Sequence, residues 1–205
     1  MGPSLRQTIA AVLLLSAASS LGACASTDYL PVRYQLPSSA PDLAAKQVIL
    51  EAVDQRSRAD IFGPTMRQTF RHFTGNFALR VAQGDERGVL LGPVNLTGLF
   101  REAMTKRLNA SGVQVVDSTA ISAPRMRVIL TRFALDHDST KWTAEIDYRV
   151  ELAGADSRQA SQTISATEER LRLPGSRDAE RVISDVFTVT INRLDLVKLF
   201  ADAGV

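Results

Sequence analysis

Apolar and polar side chains alternate most cleanly between Trp142 and Leu152. Trp142, Ala144, Ile146, Tyr148, Val150 and Leu152 fall on one side of an extended chain, and Thr143, Glu145, Asp147, Arg149 and Glu151 on the other. That pattern predicts a strand with one buried and one solvated face. A second strand precedes it. There Met126, Val128, Leu130 and Arg132 point one way and Arg127, Ile129, Thr131 and Phe133 the other. The mixed polarity predicts partial cover on both faces. Residues 158–171 form a third, more polar strand marked by Ile164 and Leu171. Residues 153–157 turn between the last two strands, and residues 135–140 link the first two. A β-rich run at 47–53 ends in Asp54, Gln55, Arg56, Ser57 and Arg58, and a short strand is expected at 113–116.

Helical periodicity appears twice. Over residues 95–109, Leu96, Leu99, Phe100, Ala103 and Leu108 share a face. Asn95 suits the N-cap and Gly112 the stop, while Arg101, Lys106 and Arg107 fall mostly on the opposite face. A long helix is expected over 177–201, capped by Ser176, with Ala179, Val182, Ile183, Val186, Thr190, Leu194 and Val197 inward. Residues 59–92 give a mixed signal. Phe70, Phe73 and Phe77 have helical spacing, but Gly63, Pro64 and Gly75 interrupt it. Residues 77–81 alternate weakly, and the turn at 84–88 suggests a hairpin returning through 89–91.

Strands that follow one another, with helices far apart in sequence, predict an α+β fold: an antiparallel sheet with two helices packed on one face. After a proline-broken stretch at 25–45 that reads as a tether, about 160 residues remain, enough for a single domain with its own core. The chain carries 24 Lys and Arg against 22 Asp and Glu. This near-neutral balance gives no electrostatic case for nucleic acid.

The single cysteine, Cys24, ends the run Leu21-Gly22-Ala23-Cys24. Upstream lie a basic start at Arg6, an apolar run at 9–15 and then small residues, the layout of a secretory signal peptide. The run is too short for a membrane span of roughly 20 apolar residues. A cleavage site ending in cysteine resembles the lipobox of bacterial lipoproteins. The resemblance implies cleavage before Cys24, lipid on its thiol and an acylated new amine, hence a membrane partner through an N-terminal lipid anchor. Three parts follow: a signal peptide at 1–23, a lipidated flexible tether at 24–45 and a periplasmic domain at 46–205. Ala25 and Ser26, with no aspartate after the cysteine, resemble the outer-membrane sorting pattern, which implies the inner leaflet facing the periplasm. The stretch 29–37 is more apolar than a plain spacer and suits docking on the domain or on a partner.

The lipobox, the tether, the strand ending Val53-Asp54-Gln55-Arg56, the helix before Gly112-Val113 and the strand starting Trp142-Thr143-Ala144-Glu145 together resemble small Gram-negative envelope lipoproteins. These are the YajG-like lipoproteins and the auxiliary lipoproteins of ABC-type transport systems. The resemblance implies a non-enzymatic domain serving an envelope protein complex, in some members for lipid transport, with a lipid as a ligand to consider.

Catalytic signatures are thin. His72 lies beside Arg71 and phenylalanines without a nucleophile, and the Asp136-His137-Asp138 trio sits where a turn is expected. No zinc-protease helix, hydrolase elbow or phosphate loop is present. No metal or other cofactor is expected. Glu145, Asp147 and Glu151 share a strand face, about 7 Å apart at alternate positions; peptidoglycan hydrolysis by paired carboxylates is the alternative function. Asp54 and Arg56 read as a structural ion pair or a partner contact. Phe62, Phe70, Phe73 and Phe77, interleaved with Arg67 and Arg71, are the candidate partner-binding residues, because aromatics and arginines are enriched at interface hot spots.

Overall fold

The computed structural model describes residues 28–84, 86–120, 122–154, 158–172 and 178–205. The signal peptide, Cys24, the sorting positions Ala25 and Ser26, part of the turn at 153–157 and the Ser176 cap lie outside the described residues. In chain order the elements are β1 (Asp28–Gln35), β2 (Gln47–Asp54), α1 (Pro64–Thr69), β3 (Phe73–Ala82), β4 (Val89–Val94), α2 (Leu96–Ala110) and β5 (Gln114–Val116). They continue with β6 (Arg125–His137), β7 (Lys141–Ala153), β8 (Gln159–Leu171), α3 (Asp178–Arg193) and α4 (Leu196–Asp202).

The fold is α+β, but its strands form two mixed sheets instead of one antiparallel sheet. One has the order β5-β2-β6-β7-β8 and the other β1-β3-β4. β6, β7 and β8 are antiparallel neighbours, as the alternation predicts. β2 runs parallel to both β5 and β6, and β1 runs parallel to β3. Parallel pairing needs a crossover, and α2 supplies one between β2 and β5. Within α2, the Asn95 side chain accepts from the Gly98 amide at 2.8 Å. Gly112 ends the turn with φ +80° against the Ala44 backbone, 3.1 Å from where a Cβ would stand.

The tether expected at 24–45 is the largest correction. Residues 28–35 are strand β1, with Leu30, Val32 and Tyr34 at 0, 1 and 0 % exposure. Pro31 is tolerated because β1 is an edge strand. That edge is covered by a polar stripe on α3 spaced one turn apart. The Arg33 amide donates to Ser184 Oγ at 2.9 Å, the Gln35 amide to Thr188 Oγ1 at 3.1 Å, and Asn192 Nδ2 to the Gln35 carbonyl at 2.9 Å. Side chains thus stand where another strand would otherwise pair.

Two further departures share a non-local cause. The expected helix over 177–201 is broken at Leu194 and Asp195, where Asp195 caps α4 by accepting from the Lys198 amide at 2.9 Å. Arg107, expected on the solvated face of α2, is 6 % exposed. Its guanidinium donates to the carbonyls of Ile191, Asn192 and Leu194. Tyr148 Oη donates to the Thr190 carbonyl at 2.9 Å. The carbonyls that would carry α3 onward are therefore engaged by α2 and β7.

The mixed polarity of β6 comes from a register shift between Leu130 and Arg132. Before it Met126, Val128 and Leu130 are buried; after it Phe133 and Leu135 are. One extra residue rotates the strand so that both halves face the same core. Residues 59–92 resolve into the short helix α1 and the β3–β4 hairpin. Rings link the layers: Phe77 to Phe133 at 5.5 Å, Phe133 to Phe100 at 6.2 Å, Phe100 to Tyr148 at 5.6 Å and to Phe187 at 5.2 Å. Among the described residues no helix is long and apolar enough to cross a membrane.

Candidate functional site

After Asp54 the chain leaves β6 and later returns to it. The Gln55 amide still donates to the Leu130 carbonyl at 2.9 Å, and the next contact is Leu135 N to Ile61 O at 2.8 Å. Phe62 bridges Leu135 in parallel. Between these points the loop 56–60 bows away, and residues 131–134 of β6 have no strand partner on that edge among the described residues. Pro64 then opens α1 and Met66, fully buried, pins it. The helix ends at Phe70, and β3 begins at Phe73.

This path places the candidate aromatic residues on a gradient of exposure. Phe77 is fully buried and Phe62 is 8 % exposed; both are core. Phe70 and Phe73 are half-buried and pack against that core. Phe62 stacks on Phe70 at 4.9 Å and meets Phe73 edge-on at 5.0 Å, and Phe73 meets Phe77 at 5.5 Å. Arg67 is committed locally: Nη2 donates to Asp60 Oδ2 at 2.6 Å and Nε to the Phe62 carbonyl at 3.3 Å. Arg71 is exposed, with Nε donating to His72 Nε2 at 3.1 Å. The accessible part is thus a rim of Phe70, Arg71, Phe73 and Arg67 over a shallow cleft of about 450 Å3. Because β1 pairs with β3 from Asp28 opposite Phe73, this rim lies at the end of the domain where the chain arrives from Cys24.

A second cleft, of about 550 Å3, opens beneath the loop 56–60. Arg56, Arg58, Arg67 and Arg132 line it over an apolar wall that includes Phe62 and Phe133. Arg56 grips Asp54 in a fork, Nε to Oδ1 at 2.9 Å and Nη2 to Oδ2 at 2.8 Å. Those hydrogen bonds hold the Asp54 carboxyl below the usual carboxylate range. The Arg56 side chain is only 7 % exposed. The sequence pointed to Asp54 and Arg56 as a pair, but not to Arg58 or Arg132, which only the bowed loop brings beside it.

The carboxylate face expected on β7 forms, and arginines occupy it. Glu145 is ion-paired with Arg132, and Glu151 with Arg149 at 2.9 Å and Arg127 at 3.9 Å. Asp147 lines the second cleft. Glu145 and Glu151, two carboxylates of this face, are thus engaged by arginines within the described residues. The link expected at 135–140 is shorter than the sequence suggests: Asp136 and His137 end β6, opposite Thr143 and Trp142 of β7, and Asp138 opens the turn. Asp138 Oδ1 accepts from the Thr140 amide at 2.7 Å, the Lys141 amide at 2.8 Å and Thr140 Oγ1 at 2.9 Å. These bonds hold the Asp138 carboxyl below its ordinary range. Among the described residues no three His, Cys, Asp or Glu side chains come together to hold a metal. Trp142 is 9 % exposed and meets His137 at 4.7 Å.

No protein-family model and no curated protein matches the chain. Among solved structures it is similar to a protein from Xanthomonas campestris described under the family model DUF330. That match has 17 % identity over 82 % of this chain and 92 % of that one, with a TM-score of 0.49. It is also similar to the rare lipoprotein B from Shewanella oneidensis, at 13 % identity, 78 % and 96 % coverage and a TM-score of 0.43. A lipoprotein from Neisseria meningitidis matches at 6 % identity, 73 % and 99 % coverage and a TM-score of 0.35. Likenesses of this strength identify neither a family nor an activity.

Proposed function

We propose that this chain is a lipid-anchored periplasmic lipoprotein, a non-enzymatic binding or scaffold component of an envelope transport or maintenance system at the inner leaflet of the outer membrane. The observation that carries the reading is the distance from Cys24 to the fold. Only residues 25–27 separate the lipobox cysteine from β1, which is part of the core. Fully extended, that stretch reaches at most about 14 Å. Lipid on Cys24 would hold the starting end of β1, and with it the Phe70, Arg71 and Phe73 rim, close to the headgroups. Half-buried aromatics with an arginine suit that interface, where one end of a side chain is apolar and the other wet. A partner that works at the membrane surface would meet the same rim. Aromatic rings fill the space between the sheet and the helices, so a lipid ligand would enter through the rim and its clefts.

Cell fractionation tests the anchor. The wild type is expected in the membrane pellet after a high-salt wash, with an N-terminal peptide whose mass includes a diacylglyceryl group and a further acyl chain. The Cys24→Ser variant is expected in the soluble fraction. A soluble wild type, or an unmodified Cys24 in the mature protein, would end the reading. Photo-crosslinkers at positions 70 and 73 then test the partner: an envelope protein or a lipid adduct supports the binding role, and adducts to neither remove it.

A further inference from the structure

Arg56 Nη1 is the one buried side-chain nitrogen or oxygen without a hydrogen-bond partner among the described residues. A buried guanidinium N–H without an acceptor is costly, and the fork onto Asp54 engages Nε and Nη2 but not Nη1. Arg56 lines the cleft beneath the loop 56–60. Arg58, exposed on the same cleft, has no ion pair and no side-chain hydrogen bond among the described residues. Of the four arginines that line the cleft, Arg56, Arg67 and Arg132 are ion-paired with Asp54, Asp60 and Glu145, so Arg58 is the lining cation left to a ligand.

From this geometry we infer that the cleft is a binding site for a phosphate ester. A phosphoryl oxygen accepts from Arg56 Nη1, a second oxygen faces Arg58, and the ester-linked group lies along the wall formed by Ile61, Phe62 and Phe133. Phosphate suits the site because its oxygens diverge and can accept from arginines arriving from different directions. A carboxylate, planar and with two oxygens, is satisfied by one arginine fork, and that role is already taken by Asp54 on Arg56. At about 550 Å3 the cleft is large enough for the esterified group as well as the phosphate. Asp147, also in the lining, disfavours a second anionic group and suits a neutral or cationic one.

The test uses the full chain carrying Cys24→Ser, so that no lipid anchor contributes and a failure here leaves the anchoring reading untouched. Glycerol 3-phosphate, inorganic phosphate and acetate are titrated, with binding followed by calorimetry, and vesicles of phosphatidylglycerol in phosphatidylcholine are tested by flotation. Saturable binding of glycerol 3-phosphate, at least ten-fold weakened by Arg58→Ala and by Arg56→Lys, is the expected result. Phosphatidylglycerol vesicles floating the parent but not Arg58→Ala would identify the ester as a lipid headgroup. Binding of the soluble ester without vesicle binding would identify a diffusible ligand. Arg58→Ala removes an exposed, unpartnered side chain and leaves the fold intact, so the result does not depend on whether Arg56→Lys folds. Acetate binding as well as glycerol 3-phosphate, no saturable binding of any probe, or binding indifferent to Arg58→Ala would each overturn the inference.

Discussion

Replacing Arg107 with methionine tests why the C-terminal helix breaks. The guanidinium is buried and donates to the carbonyls of Ile191, Asn192 and Leu194. Those groups belong to the last turn of α3 and its exit, where helix carbonyls lack intrahelical donors, and a cation there also faces the negative end of the helix dipole. Burial pulls the basicity of Arg107 below its ordinary value, although the nearby tyrosines and Asp195 oppose this. Methionine keeps the apolar stem and removes the donors. Each orphaned carbonyl costs about 1–3 kcal/mol and the costs do not add fully, so a total loss of about 3 kcal/mol is expected. For a domain of this length that corresponds to a fall of about 6–12 °C in Tm. The chain has one tryptophan, Trp142, buried in β7, so urea unfolding can be followed by its fluorescence, with the midpoint falling and the slope m unchanged. Arg107→Lys should lose less than methionine, because an ammonium keeps a cation and donors beside these carbonyls, but it should not reach wild-type stability, because it cannot fork across all three. A methionine variant within about 1 kcal/mol of wild type would refute the reasoning. So would a rise in helical ellipticity, which would mean that α3 and α4 had fused and the break had another cause.

Three other outcomes follow from the same structure. Asn95→Ala removes the cap of α2 at Gly98 and should lower stability by about 1 kcal/mol, read as a shift in the urea midpoint. Gly88 has φ +76°, and a Cβ there would stand 2.5 Å from the Val81 carbonyl oxygen, whereas Gly92, at φ +89°, meets nothing within 4 Å. Gly88→Ala should therefore cost at least about 1 kcal/mol more than Gly92→Ala in parallel melts, and equal costs would show that backbone strain alone matters. Burial pushes the Tyr34 and Tyr148 hydroxyls up from their ordinary value of 10.0. Their folded pKa values lie above the unfolded one, so this contribution is complete below the unfolded value and declines above about pH 10, by up to ~1.4 kcal/mol per pH unit for each tyrosine. The urea midpoint should be flat from pH 8 to 9 and fall beyond about pH 10, with a shallower fall in Tyr148→Phe.

The parts legible in the sequence are those set by neighbours a few positions away. The alternation along β7 and the face and caps of α2 needed only local periodicity. What the sequence did not show was long-range. The break after α3 depends on Arg107, 84 positions from Ile191, which reads in isolation as one more charge on a helix. Parallel pairing of β2 leaves no mark in its own residues. The alternation of Leu30, Val32 and Tyr34 was present, but Pro31 and Pro37 obscured it, and the matching stripe of Ser184, Thr188 and Asn192 looks like an ordinary solvated face. The candidate aromatics were found by composition, yet spacing could not separate Phe77, on the core side of β3, from Phe73 at its edge. The arginine cleft depends on a loop bowing away from β6, a property of the fold and not of any motif.

Strand β1 bears directly on how far the domain could stand from a membrane. With a flexible tether of some 20 residues the reach would be roughly 25 Å as a coil and roughly 65 Å extended. In the structure, extending beyond residues 25–27 requires stripping β1 from β3 and from the α3 stripe. Exposing Leu30, Val32 and Tyr34, all essentially buried, costs about 1.5–3 kcal/mol each, or about 5–9 kcal/mol together before any hydrogen bonds are counted. At about 1.4 kcal/mol per factor of ten, fewer than about one molecule in a thousand would have β1 released. A lipid on Cys24 would therefore fix the height of the domain. Its partners would have to approach it at the bilayer surface, and the Phe70–Phe73 rim would face the lipid whether or not a partner is present.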